Sequence, residues 1–249
     1  MYKRVLRSAG VYVLLVAMLV PCKVTNAEEA TYNVETNVDT VAEVSAEAQA
    51  VVPTEEELQA AVTAVTNEQA TRQLVFIGDS RTVGMNNAVG NDGNLWSAKV
   101  GMGYSWMKNT GVPAVESNIN ANSDVVILMG VNDVRSTSYT SKYISYLNEK
   151  AATWKSLGAN VYYVSVNPMV FETSSYPGIS NSIIEAWNTA MIQGLSEDIT
   201  YIDTYSQVLG QLSSRDGIHY SNSSYRTIYA LVQQEIIQDK VAKEYNYAI

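Results

Sequence analysis

Histidine occurs once in the 249 residues, at His219, and cysteine once, at Cys22. A single cysteine excludes an internal disulfide framework, so a stable domain must rest on a hydrophobic core of adequate size. With so few soft ligands only carboxylates remain for a metal, and neither a metal site nor a cofactor is expected. Basic residues are scarce too, 16 Lys and Arg against 25 Asp and Glu, and they form no stripe. Nucleic acid is therefore not an expected partner, because phosphate backbones need clustered positive charge. No apolar run approaches the roughly 20 residues that span a bilayer as a helix. The nearest is the uncharged stretch from Ser8 to Cys22, 15 residues long.

That stretch follows Lys3, Arg4 and Arg7 and precedes "VTNAEEA", whose small residues suit a cut after Ala27. This is the layout of a secretory signal peptide over residues 1–27, with an uncleaved anchor as second choice. Pro21 stands where a lipidation signal needs a small residue, so Cys22 is not read as a lipid attachment point. The expected location is secreted or cell-surface, with no stable membrane insertion after cleavage. Residues 28–70 carry ten acidic side chains and no lysine or arginine, which reads as an extended or weakly helical linker. Its last part, with Thr54 as N-cap and glutamates after it, predicts a short helix. Residues 71–249 remain as one domain, with no internal repeat and nearly balanced charge.

From Gln73 onward short apolar runs alternate with segments of helical spacing. Leu74 to Gly78, Asp124 to Gly130, Asn160 to Val166 and Ile199 to Asp203 predict buried strands, and Ser97 to Gly101 a weaker one. Continuous apolar runs suit a parallel sheet covered on both faces. Tyr143, Leu147, Ala151 and Trp154 repeat at helical spacing before Gly158, and Ile183, Trp187, Met191 and Leu195 do the same. A last helix should carry Tyr225, Tyr229, Val232 and Ile236, capped near Asn222 or Ser223. The expectation is α/β, a three-layer α/β/α sandwich with a five-stranded parallel sheet.

In such a sheet ligands bind beyond the carboxyl ends of the strands. The first strand runs into "GDS", which puts Ser80 at a helix start, where free N–H groups favour a developing anion. Asp79 or Ser80 could equally be an ordinary N-cap. The third runs into "GVND", where Asn132 could offer its amide to a tetrahedral oxyanion or merely close an Asx-turn. After the last comes "RDGIHY". There Asp216, three residues before His219, could fix the imidazole's tautomer or simply belong to an Asp-Gly turn.

Three turns of this kind, in this order and each at the carboxyl end of a predicted strand, resemble the blocks of the SGNH hydrolase superfamily, the GDSL-like esterases and lipases. The resemblance runs from about Leu74 to the final helix. It implies a flavodoxin-like fold, Ser80 as nucleophile, His219 as general base and acid, and Asp216 as its orienting partner. It also implies an oxyanion hole from the Ser80 N–H, the Asn132 side chain and a glycine N–H, with Gly103 matching better than Gly101. Asp79 and Asp133 fit positions that brace the loops. Where the family name has leucine this chain has Arg81, which could influence substrate preference.

The implied activity is that of a serine esterase working through an acyl-enzyme. Export and the polar segment "ETSSYPGIS" favour acylated glycan or another small ester as substrate, with acetyl as the preferred acyl group. Tyr104, Trp106, Tyr139, Tyr176 and Tyr220 fall in or beside strand-end loops where sugars could stack, and Tyr104, Trp106 and Arg81 are the substrate-binding candidates. An O-acyltransferase using the same residues, or a non-catalytic wall-binding protein, remains as an alternative.

Overall fold

The structure, a computed structural model, describes residues 53–244. The leader expected over residues 1–27 and the linker as far as residue 52 lie outside the described residues. Five parallel strands form one sheet in the order β2-β1-β3-β4-β5. They are β1 (Gln73–Gly78), β2 (Leu95–Ala98), β3 (Ser123–Leu128), β4 (Asn160–Val164) and β5 (Ile199–Ile202). Reversal of the strand order beside β1 creates the crevice in which open α/β sheets hold ligands.

Side chains alternate across each strand, which sends neighbours into two separate cores. Val75, Ile77, Val125, Ile127, Val161 and Tyr163 face one side, where they pack with Leu147, Trp154, Trp187 and Met191. These last belong to α4 (Thr137–Ser156) and α5 (Asn181–Gly194). Leu74, Phe76, Val126, Tyr162, Val164 and Ile202 face the other side and meet Met85, Ala88, Ile228, Val232 and Ile236. Those come from α2 (Ser80–Val89) and α7 (Asn222–Glu244). Burial on both faces is why the strands read as unbroken apolar runs.

Several boundaries differ from the sequence expectation. β2 begins at Leu95 instead of Ser97, because Leu95 pairs with Val75 and Ala98 with Gly78 at the end of β1. The chain cannot continue that strand through Gly101, whose φ of 73° turns it away. β3 stops at Leu128, two residues before Gly130 with its φ of 140°. The cap of α7 is Ser221, whose Oγ accepts the Ser224 N–H at 3.3 Å, one residue before the expected positions. Between β2 and β3 a short helix α3 (Tyr104–Trp106) runs into a π-helical turn over Met107–Gly111, which the sequence did not signal. A five-residue helix α6 (Thr204–Val208) follows β5, opened by Asp203 as its cap.

The stretch read as the end of the linker forms α1 (Glu55–Gln69), closed by a capping box in which Thr54 and Glu57 satisfy each other's backbone N–H groups. Ala61 and Val65 are buried against Val241 and Ile237 of α7. Below it, at the amino ends of the strands, the buried carboxylate of Asp124 meets Arg72 at 3.0 Å and Lys240 at 2.8 Å. Asn160 donates to the same carboxylate at 2.7 Å. This network lies at the end of the sheet opposite Ser80. Among the described residues no helix is long and apolar enough to cross a membrane.

Candidate active site

β1 ends at Gly78, where a side chain would collide with Thr82 of the following helix and with the Leu128 carbonyl. Asp79 then caps α2: its carboxylate accepts the Arg81 N–H at 3.0 Å. Both local roles weighed for this turn are therefore occupied, Asp79 as the cap and Ser80 as the first helical residue. Backbone N–H groups in a first helical turn have no acceptor within the helix and face outward. Burial pushes the Asp79 carboxyl up, against the lowering influence of the Arg81 charge and of the Arg81 and Gly130 N–H groups.

Ser80 Oγ lies 2.9 Å from Nε2 of His219. On the far side of the ring, Nδ1 lies 2.7 Å from Oδ2 of Asp216. The turn that joins the two residues also builds the carboxylate's other contacts. Oδ1 of Asp216 accepts the backbone N–H of His219 at 2.8 Å and of Ile218 at 3.0 Å. Gly217 permits this tight return with a φ of 87°. The Ser214 hydroxyl accepts the Gly217 N–H at 2.9 Å and donates to the His219 carbonyl at 2.5 Å, which closes the loop from below. Partial burial raises the Asp216 pKa, but the hydrogen bonds from the His219 ring and from the His219 and Ile218 N–H groups outweigh it. They hold the carboxyl well below the usual range. With Oδ2 ionised, Nδ1 is the protonated ring nitrogen and Nε2 is free to accept from Ser80.

Asn132 follows β3 in a turn closed by the Asp133 N–H on the Gly130 carbonyl at 2.8 Å. Its Nδ2 donates to the Met102 carbonyl at 2.8 Å, and an amide nitrogen keeps a second hydrogen after that bond. Asp133 braces the neighbouring loop: its Oδ2 accepts the Tyr104 N–H at 2.7 Å and the Tyr143 hydroxyl at 2.9 Å. A Cβ at residue 103 would fall 2.3 Å from that same carboxylate oxygen. Gly103 is thus small because Asp133 approaches it, whereas Gly101 stands in open space.

Of the substrate-binding candidates, Arg81 is turned inward. It is 7 % exposed; Nε donates to the Ile218 carbonyl at 2.9 Å and Nη1 to the Asn167 carbonyl at 2.7 Å. The guanidinium also lies over the Tyr220 ring, 5.0 Å from its centroid. Tyr104 is half-buried in an aromatic group with Tyr139, Tyr143 and Tyr146. Trp106 packs its ring against Gly111. Tyr220 is buried, with its hydroxyl on the Pro168 carbonyl. A residue considered only for stacking, Tyr176, instead reaches the Asp216–His219 pair. Its hydroxyl donates to Oδ2 of Asp216 at 3.1 Å and lies 3.3 Å from Nδ1 of His219. Burial and the Asp216 contact raise its pKa, which keeps the hydroxyl a donor.

No protein-family model matches the chain, and no curated protein matches it in sequence. Solved structures do match in shape. A GDSL-like lipase from Bacteroides thetaiotaomicron superposes with a TM-score of 0.53 at 20 % identity, over 74 % of this chain and 98 % of that one. An acetylxylan esterase from Geobacillus stearothermophilus superposes with a TM-score of 0.50 at 18 % identity, over 66 % and 94 % of the two chains. At such identities the likeness is one of fold. The five-stranded parallel sheet, with helices on both faces, is the α/β fold of the GDSL-like, or SGNH, hydrolases.

Proposed function

We propose that the chain is an extracellular serine esterase that hydrolyses acyl esters, acetyl above all, on carbohydrate or other small alcohols. The observation that carries this reading is the hydrogen-bonded line Ser80–His219–Asp216 at the carboxyl ends of the strands. In the first half-reaction Ser80 Oγ attacks the ester carbonyl carbon and gives its proton to Nε2 of His219. The carbonyl oxygen takes the negative charge, stabilised by the Ser80 and Gly103 N–H groups and the remaining Asn132 amide hydrogen. The acyl carbon–oxygen bond then breaks. Its electron pair leaves on the alcohol oxygen, which collects the proton from His219. Water repeats the sequence on the acyl-enzyme and releases the acid.

Asp216 stays ionised throughout and stabilises the imidazolium that forms beside it. The fold supports the reading at one remove, since an acetylxylan esterase uses the same fold. The signal-peptide layout of the sequence over residues 1–27 favours an extracellular setting, with residues 28–70 as a tether whose last part is α1, and residues 71–249 as the working domain.

Acetate release from acetylated xylan and from simple acetyl esters tests the proposal, with Ser80→Ala as reference. Hydrolysis that vanishes in Ser80→Ala is expected. Hydrolysis that survives in Ser80→Ala or His219→Ala would contradict it. Transfer of acetyl to an added glycan in preference to water would replace hydrolase by transferase.

A further inference from the structure

The chain has two phenylalanines. Phe76 is fully buried in β1, whereas Phe171 is 46 % exposed and sits beside the candidate site. Its neighbour Val170 is also exposed, and the Val170 N–H donates to the Gly217 carbonyl at 2.9 Å. The Phe171 ring lies so close to Gly217 that a Cβ there would come within 3.2 Å of it. Gly217 stands between Asp216 and His219 in sequence, so Phe171 flanks the base-and-orienter loop. The same segment returns at Tyr176 to touch Asp216 and His219 directly.

Chemistry fixes which part of an ester meets this flank. The proton on Nε2 of His219 must reach the leaving oxygen, so the alcohol lies on the His219 side of Ser80. The oxyanion candidates Gly103 and Asn132 come instead from the ends of β2 and β3, and Phe171 comes from the loop after β4. Around the exposed ring the loop is polar: Glu172, Ser174 and Ser175 are exposed, and the Asp216 side chain is 40 % exposed. An apolar face with hydroxyls and carboxylates at its edge complements a pyranose ring, which has one C–H face and a hydroxylated rim. A plain alkyl alcohol has no such rim and would leave those groups to water.

Resting on the esterase reading above, we propose that Phe171 is the platform on which the sugar ring of the alcohol part stacks, and so selects esters of carbohydrate over esters of simple alcohols. The test compares peracetylated methyl β-xylopyranoside with ethyl acetate, two substrates that share the acyl group and differ in the alcohol. Each protein's ethyl acetate rate serves as its own reference, which cancels any difference in folded fraction.

Phe171→Ala should lower the ratio of kcat/KM for the sugar ester to that for ethyl acetate by about threefold to tenfold, chiefly through KM. Phe171→Trp should keep the ratio, and Leu157→Ala, which removes an exposed apolar side chain elsewhere, should leave it as in the unaltered protein. The same ratio in Phe171→Ala as in the unaltered protein overturns the platform while the esterase reading stands. Failure of the unaltered protein to hydrolyse either ester overturns that reading and the platform with it.

Discussion

Arg81, the residue after Ser80, donates its Nε to the carbonyl of Ile218, the residue before His219. One side chain thus ties the start of α2 to the loop that carries the imidazole, across 137 positions of sequence. Its second bond, to the Asn167 carbonyl, brings the segment after β4 into the same clasp. Arg81→Met should leave both carbonyls without these donors and cost about 1–3 kcal/mol of stability. Because small displacements of reacting groups are expensive, kcat should also fall by about 10- to 100-fold with a smaller change in KM. Arg81→Lys should recover little of either, since an ammonium cannot span the two carbonyls as a planar fork does. Denaturant unfolding together with steady-state kinetics measures both effects.

The candidate catalytic groups should act as a unit. Ser80→Ala and His219→Ala should each lower kcat on the order of 10⁶-fold, and the double variant should be no worse than either single one. Asn132→Ala should cost about 100- to 1000-fold with little change in KM, as expected for a donor whose bond strengthens as charge builds on the oxygen. Gly103→Ala should also be impaired, because its Cβ would collide with the carboxylate of Asp133. Full kinetic profiles of the four single variants and the double one separate these effects.

The pH profile should carry a simple signature. The reaction needs Asp216 as a carboxylate, which holds the Nδ1–H of His219 and leaves Nε2 to accept from Ser80. The hydrogen bonds that it accepts from His219 and Ile218 hold its carboxyl well below the usual value. Log kcat/KM should therefore show no limb from Asp216 down to the ordinary carboxylate value of 3.8. A limb centred at that ordinary value, lost in Asp216→Asn, would contradict this.

Asp124 gives a pH dependence of a different kind, in stability rather than rate. Burial raises its pKa, but the bonds from Arg72, Lys240 and Asn160 outweigh that and lower it. Its contribution to stability is therefore complete above the ordinary carboxylate value of 3.8 and is lost as pH falls through the lowered native value. Asp124→Asn should cost about 3–5 kcal/mol near neutrality by taking this carboxylate from two largely buried cations, Arg72 and Lys240. The deficit should shrink in acid. Unfolding midpoints of the two proteins between neutral and acid pH give the comparison.

How far the sequence disclosed all this depends on whether a contact is local. β1 and β3 were legible because residues such as Val75, Ile77, Val125 and Val126 are buried on both sheet faces and make an unbroken apolar run. The hydrogen bond between Asp216 and His219 spans one turn, and that spacing is visible in the chain. Nothing near Arg81 signals that it bends inward, since its partners Asn167 and Ile218 are remote. Tyr176 likewise gave no sign of reaching Asp216, 40 positions away. α1 was readable as a helix from Thr54 and the glutamates. Its seat on α7 was not, because it buries only Ala61 and Val65, and its partner Val241 lies near the other end of the chain.

The central claim is that Ser80 is a nucleophile activated by His219. Reaction with a serine-directed fluorophosphonate, followed by mass mapping of the modified peptide, tests it most directly. One adduct is expected, on Ser80, that is absent in Ser80→Ala and forms far more slowly in His219→Ala. An unmodified protein, or an adduct that persists in Ser80→Ala, would contradict it.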